Sequence, residues 1–140
     1  MSFGQAVKHV YGNYANFQGR ASRSEFWWFY LYYVIVGLIL YIIYFAGLAA
    51  SPKTEISPGV YEVSMGPLAI IAIVLLGIWW LANLIPTLAV WVRRLHDSDK
   101  SGWWMLLIFA CGLGTLVLWI FALLPSSVGP NKHGEGPATA

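Results

Sequence analysis

The chain holds a single cysteine, Cys111, among 140 residues. One thiol closes no internal disulfide, and no grouping of Cys and His has zinc-site spacing, so a disulfide scaffold and a structural metal centre are both excluded. Charge is nearly as scarce. Asp, Glu, Lys and Arg supply 10% of the residues, against about 25% in soluble domains, which excludes an ordinary water-soluble fold. The formal net charge is +2, and the basic residues stand in short groups beside apolar runs. A nucleic-acid partner, which needs a broad basic face, is set aside on that ground. The sequence also lacks internal repeats and a second domain, and nothing in it calls for a cofactor.

What it has in abundance is apolar surface: 59% hydrophobic residues and a mean hydropathy of +0.65. Three runs, residues 26–50, 67–92 and 102–124, contain no Asp, Glu, Lys, Arg or His. Each has the roughly 20 residues a helix needs to cross the bilayer core. Unpaired backbone groups in lipid cost several kcal/mol each, so helices are expected here and open strands are not. The predicted fold class is an all-α integral membrane protein with three transmembrane helices and a short N-terminal amphipathic interfacial helix. Its single membrane domain divides into a cytoplasmic amphipathic segment (1–25), a first span (26–50), an external loop (51–66), a second span (67–92), a cytoplasmic basic turn (93–101), a third span (102–124) and a tail (125–140). Pro86 predicts a kink in the second span. Gly112 and Gly114 leave an alternative for the third: a re-entrant hairpin of two short pieces, which brings Asn131 near the Arg93 turn.

Orientation follows from the cations. Lys8, Arg20 and Arg23 precede the first span, Lys53 alone lies in the first loop, Arg93, Arg94 and Lys100 lie in the second, and Lys132 lies in the tail. The positive-inside rule then puts the N-terminus and the Arg93 turn in the cytoplasm, and the first loop and the C-terminus outside. Trp27, Trp28, Trp91, Trp103 and Trp104 all fall at span ends on that inner side, where an indole keeps its ring in the headgroup layer and its N–H wet.

Local signals sharpen this outline. Phe3, Val7, Val10, Tyr11 and Tyr14 recur at helical spacing, predicting an interfacial helix over residues 2–14. Ser22 and Glu25 have capping-box spacing, with an ion pair from Glu25 to Arg93 or Arg94 as the alternative use of that carboxylate. Arg93 and Asp97 stand four apart and pair if the helix runs that far. Ser101 suits the cap of the third helix, and Asp97, Ser98 and Asp99 suit the turn before it. Tyr30, Tyr33, Gly37, Tyr41 and Tyr44 form one stripe, read as a packing face, with Asn83 placed to meet one of the hydroxyls. Ala110 and Gly114 make a close-contact pair, and Cys111 reads as a small packing residue. In the first loop "VYEV" has the pattern of a short strand.

Three stretches carry a resemblance. "FQGRASRSEFWWF" (residues 17–29), "RRLHDSDKSGWW" (93–104) and "VGPNKHGEGP" (128–137) resemble the signature stretches of the domain of unknown function 805 family of small bacterial inner-membrane proteins. In the tail, Gly129, Asn131, Gly134 and Pro137 match the family pattern, whereas Lys132, His133 and Gly136 replace its usual arginine, aromatic and acidic residue. The resemblance covers most of the chain and implies an integral inner-membrane location.

The candidate site is a cytoplasmic belt. Arg20, Arg23, Arg93, Arg94 and Lys100, walled by Trp27, Trp28, Trp103 and Trp104, are expected in one headgroup layer, where an arginine fork grips phosphate. The reading is a non-enzymatic accessory that binds anionic phospholipid or a partner membrane protein, the latter including a second copy of the chain. Ser22, Glu25, His96, Asp97 and Ser101 are assigned to ion pairs and caps. The alternatives are a membrane enzyme using His96 and Asp97, and an oligomeric channel or transporter, although the spans offer only Asn83, Thr87, Thr115 and tyrosine hydroxyls as polar groups.

Overall fold

Helix α1 (Phe3–Gly12) begins where its first free N–H groups find side chains. Ser2 Oγ accepts from Gln5 N, and Gln5 Oε1 accepts from Ser2 N at 2.9 Å, a reciprocal capping box. A helix expected over residues 2–14 is thus present over Phe3–Gly12, in a computed structural model that describes residues 1–110 and 112–136. Two units divide the chain, one of residues 1–32 with everything from Leu84 onward, the other of residues 33–83.

In the first unit the apolar face of α1 packs on the opening turns of α2 (Arg23–Ala49). Phe3 meets Trp28 edge to face at 6.0 Å, and Tyr11 meets Phe29 at 5.9 Å. Beneath them Val10, Phe26, Phe29, Val90, Trp91, Leu95 and Leu118 form a buried core. Trp91 is edge-on to Phe26 at 4.7 Å and to Trp119 at 5.0 Å.

The second unit contains an antiparallel hairpin of β1 (Lys53–Ser57) and β2 (Val60–Val63), with Lys53 opposite Val63 and Glu55 opposite Tyr61. The "VYEV" strand is present, and β1 is the partner that the sequence reading missed. Ser51 ties the base of the loop: its Oγ donates to Gly47 O at 2.8 Å and accepts from Gly66 N at 2.9 Å. Gly47 lies so close to the start of α3 (Pro67–Asp97) that a Cβ would stand 2.6 Å from Ala69 N. Tyr33 of the predicted stripe stacks on Trp79, and Asn83 Nδ2 donates to the Trp79 carbonyl at 2.9 Å.

Two expectations need correction. The helix of the second apolar run extends past the span bound of residue 92. α3 continues to Asp97, so Arg93, Arg94, His96 and Asp97 ride on its last turns and only residues 98–101 form the connection. Cations suit that position because the carbonyl end of a helix carries partial negative charge.

The third run is not one helix. It opens as a 3-10 helix (Gly102–Phe109), capped by Ser101 as expected, and resumes as α4 (Leu113–Leu123) after Gly112 at φ 73°. A Cβ at Gly114 would overlap the Leu107 carbonyl, so the two pieces approach backbone to backbone. At about 2.0 and 1.5 Å per residue each piece is about 16 Å long, half of the ~30 Å hydrocarbon core. Among the described residues two helices, α2 and α3, are long and apolar enough to cross a membrane. In place of one continuous third helix the run forms two shorter pieces. Ser127 N donates to Asp97 O at 2.8 Å and Ser127 O accepts from Arg20, which brings the start of the tail beside the segment before α2.

Gly114→Val is expected to destabilise the protein by at least about 1–3 kcal/mol, the usual range for overpacking. Gly77→Ala, with nothing within 4 Å of its Cβ, is expected to stay within about 0.5 kcal/mol of the parent. Thermal unfolding of both variants in detergent checks the pair.

Candidate functional site: a buried lattice of arginines and carboxylates

Asp97 is fully buried at the end of α3 and is met from three directions. Arg20 Nε, from the segment before α2, donates to Oδ1 at 3.0 Å. Arg94 Nη1 and Ser126 Oγ donate to Oδ2, one from the same helix and one from the tail. Charged donors replace the water that this carboxylate has lost on burial.

The arginines use their remaining donors on backbone. Arg20 Nη1 reaches Gly129 O and Nη2 reaches Ser127 O, both at 2.7 Å. Arg94 is 0% exposed; its Nε donates to Ala122 O at 3.1 Å and its Nη2 to Leu124 O. These are carbonyls of the last turn of α4 and its cap, which have no partner inside their own helix. Arg94 therefore caps α4 from the neighbouring chain segment and places positive charge at its negative pole.

A second pair lies alongside. Ser22 Oγ accepts from Glu25 N at 3.1 Å, so Ser22 caps α2 as expected. The Glu25 carboxylate turns to Arg93 Nη1 at 2.8 Å and to His9 Nδ1 of α1 at 3.0 Å. Only the serine half of the capping box is present, and the Glu25 carboxylate takes the alternative use, the ion pair to Arg93. The expected Arg93–Asp97 pairing is replaced, since Arg93 takes Glu25 while Asp97 takes Arg94 and Arg20. Three arginines face two carboxylates here, and the carbonyls of Ala122, Leu124, Ser127 and Gly129 supply the remaining negative potential.

The tail closes the site. Asn131 Nδ2 donates to His96 O and to Ser127 Oγ, both at 2.9 Å, and Asn131 and Gly134 exchange backbone hydrogen bonds. Gly129 and Gly134 adopt φ of 72° and 124°, which a side chain would strain. The rings of His133 and His96 stack in parallel at 3.8 Å, and His96 Nδ1 is 3.2 Å from Gly19 O. Partial burial, and then Lys132 beside it, hold the His133 imidazole below its ordinary value of 6.5.

Of the residues singled out in the sequence, Arg20, Arg93, Arg94, Glu25, Asp97, Ser22 and Asn131 meet in this lattice. Arg23 is exposed, and Lys100 is half-buried with Nζ 5.7 Å above the Phe121 ring. Trp27 stacks on Trp119 at 5.8 Å, whereas Trp28, Trp103 and Trp104 are exposed. Pro137 and Cys111 lie outside the described residues. The enzyme alternative loses its dyad: His96 turns to a backbone carbonyl, and the Asp97 carboxylate is taken by arginine and serine. No cluster of three metal-ligating side chains occurs among the described residues. The reading missed His9, Ser126, Ser127 and the carbonyl acceptors, of which only the "SS" before "VGPN" left any trace in sequence.

Apolar helices joined to a buried ionic layer define a membrane-embedded protein. Residues 14–135 match the family model described as Protein of unknown function (DUF805), and the chain belongs to that family. Inner membrane protein YhaI of Escherichia coli strain K12 is 35% identical to it over 128 residues, 91% of this chain and 91% of that protein. Inner membrane protein YhaH of the same strain is 31% identical over 128 residues, 91% of this chain and 92% of that protein. No solved structure matches.

Asp97→Asn is expected to cost about 3–5 kcal/mol, because it leaves two buried guanidinium groups facing a neutral amide. Arg23→Gln, at an exposed position, is expected to change stability by less than about 0.5 kcal/mol. Denaturation in mild detergent separates the two. For His133 the sign is fixed by its lowered value: the fold favours the neutral ring, so the contribution is complete above pH 6.5 and is lost as pH falls. An NMR titration of the His133 ring is expected to give a midpoint below 6.5, and His133→Phe is expected to reduce the loss of thermal stability between pH 7 and pH 5.

Proposed function

We propose that the chain is a multi-pass, non-enzymatic accessory protein of the inner membrane that binds anionic phospholipid headgroups on its cytoplasmic face. The observation that carries this reading is the division among its cations. Arg20, Arg93 and Arg94 are internal ties, whereas Lys8 and Arg23 are exposed and Lys100 is half-exposed, accompanied by exposed Trp28, Trp103 and Trp104. The internal set supports the external set by holding α1, the starts of α2 and the 3-10 helix, and the tail in one unit.

Charge count supports the sidedness. Lys53 of the hairpin is the single Lys or Arg outside that unit; Lys8, Arg20, Arg23, Arg93, Arg94, Lys100 and Lys132 all belong to it. The positive-inside rule assigns such a unit to the cytoplasm. Each exposed cation there gains about 1 kcal/mol from an anionic leaflet, so Lys8, Arg23 and Lys100 together outweigh thermal exchange of neighbouring lipids.

Native mass spectrometry of the protein extracted with its lipids tests the reading. Wild type is expected to retain phosphatidylglycerol or cardiolipin in preference to phosphatidylethanolamine. A Lys8→Gln, Arg23→Gln, Lys100→Gln variant is expected to lose at least about tenfold of that preference with unchanged folding. Equal retention of all lipids by wild type, or an undiminished preference in the variant, contradicts the proposal.

A further inference from the structure

Two imidazoles close the tail on the rest of its unit. The rings of His96 and His133 lie face to face, with centroids 3.8 Å apart and planes within 6° of parallel. His96 Nδ1 is 3.2 Å from Gly19 O, in the segment before α2. His133 hydrogen-bonds to the backbone of Lys100, and its buried Nε2 has no partner among the described residues, so that bond is made by Nδ1. A carbonyl only accepts, so each neutral ring keeps its proton on Nδ1 and leaves Nε2 bare. A proton added to His133 therefore goes to a buried atom that faces no acceptor. The charges around that ring are Lys132 of the tail, Arg20 from the segment before α2 and Asp99 from the connection after α3, whose carboxylate already lies 3.9 Å from Lys132. Two cations thus oppose the proton, and one shared carboxylate favours it. His96 beneath it sharpens the conflict, because two imidazolium rings at this separation repel strongly.

We infer that the stacked His96–His133 pair is an acid-released latch, which holds residues 128–136 against Arg20 while both rings are neutral and lets them go when the pair takes up protons. What else holds this segment is slight. Asn131 Nδ2 donates to His96 O at 2.9 Å and Arg20 Nη1 donates to Gly129 O at 2.7 Å, both of them bonds to neutral carbonyls. Val128, Pro130, Lys132 and Glu135 are exposed, so apolar burial adds little. Upstream the chain stays anchored, because Ser126 Oγ and Ser127 N bond to Asp97, a contact the histidines do not touch. Release therefore withdraws Gly129 O and uncovers one edge of the Arg20 guanidinium, while Arg20 Nε stays on Asp97 Oδ1 at 3.0 Å. The direction of the response follows from His133, whose ordinary value of 6.5 is lowered by burial and then by Lys132. The latch is closed above pH 6.5 and opens as pH falls below it.

Amide hydrogen exchange of the full-length protein in lipid vesicles, followed from pH 7 to pH 5 and corrected for the intrinsic pH dependence of exchange, tests the latch. The Asn131 and Gly134 amides, which bond to each other's carbonyls, are expected to lose protection at least about tenfold, while α2 keeps its own. His133→Phe retains a ring to lie on His96 but has no proton to gain, and is expected to keep both amides protected at pH 5. Lys132→Gln removes a cation from beside His133 and is expected to move the loss to higher pH, a shift that a merely structural role for the stack would not produce. Loss confined to the tail, absent in His133→Phe and moved upward by Lys132→Gln, supports the latch. If His133→Phe leaves the tail unprotected at both ends of the range, the direction of the Lys132→Gln shift decides. Protection that is independent of pH in wild type, a pH-dependent loss that survives in His133→Phe, or a midpoint that Lys132→Gln fails to raise overturns the inference.

Discussion

Asp97 stands between the guanidinium groups of Arg20 and Arg94 with no exposed surface, and the segment before α2, the end of α3, the end of α4 and the tail are arranged around that contact. A charge of either sign left alone in such a place would cost several kcal/mol, so the groups are tolerable only together. That mutual requirement explains why segments far apart in sequence converge. Arg20 brings the loop before α2, Arg94 brings the end of α3, Ser126 brings the tail, and Arg94 reaches onward to the last turn of α4. A layer of ionic and backbone partners thus forms beside hydrocarbon, where unpaired polar groups are least tolerable.

The folded-back third run is the clearest consequence. A hairpin of apolar helices needs its broken backbone covered and its ends held. The cover comes from the approach of Gly114 to Leu107, and the hold comes from Arg94 at the carbonyl end of α4, with Ser101 at the amide end of the 3-10 helix. α1 is secured separately, by His9 on Glu25 and by its aromatic contacts with α2. Two carboxylates therefore organise two attachments, and both lie in the same unit.

Much of this was legible in sequence, and the boundary of legibility has a physical cause. Long uncharged runs marked the positions of α2 and α3, and Ser22 and Ser101 announced the caps of α2 and of the 3-10 helix, because hydropathy and capping are local properties. The choice between one span and a hairpin over residues 102–124 depended on Gly112 and Gly114. Glycine permits a break without requiring one, so both forms were open, and the run divides into two helical pieces at Gly112. The partners of Arg20 and Arg94 were hidden for another reason. Most of their acceptors are backbone carbonyls, which every residue carries and no sequence pattern marks. Arg93 and Arg94 read as headgroup ligands because they cluster in sequence with Arg20, Arg23 and Lys100; on the last turns of α3 they face neighbouring segments within the unit.

The lattice draws Ser126, Ser127 and Gly129 back to Asp97 and Arg20, and the proposed topology that follows from it has both ends of the chain on one side of the membrane. The most direct measurement is a pair of topology reporters, one fused at each end, read in the same cells for wild type and for Asp97→Asn. The account expects both reporters to be cytoplasmic in the wild type. A cytoplasmic N-terminal reporter with a periplasmic C-terminal one would mean that residues 102–124 cross the bilayer, and would contradict the account at its root.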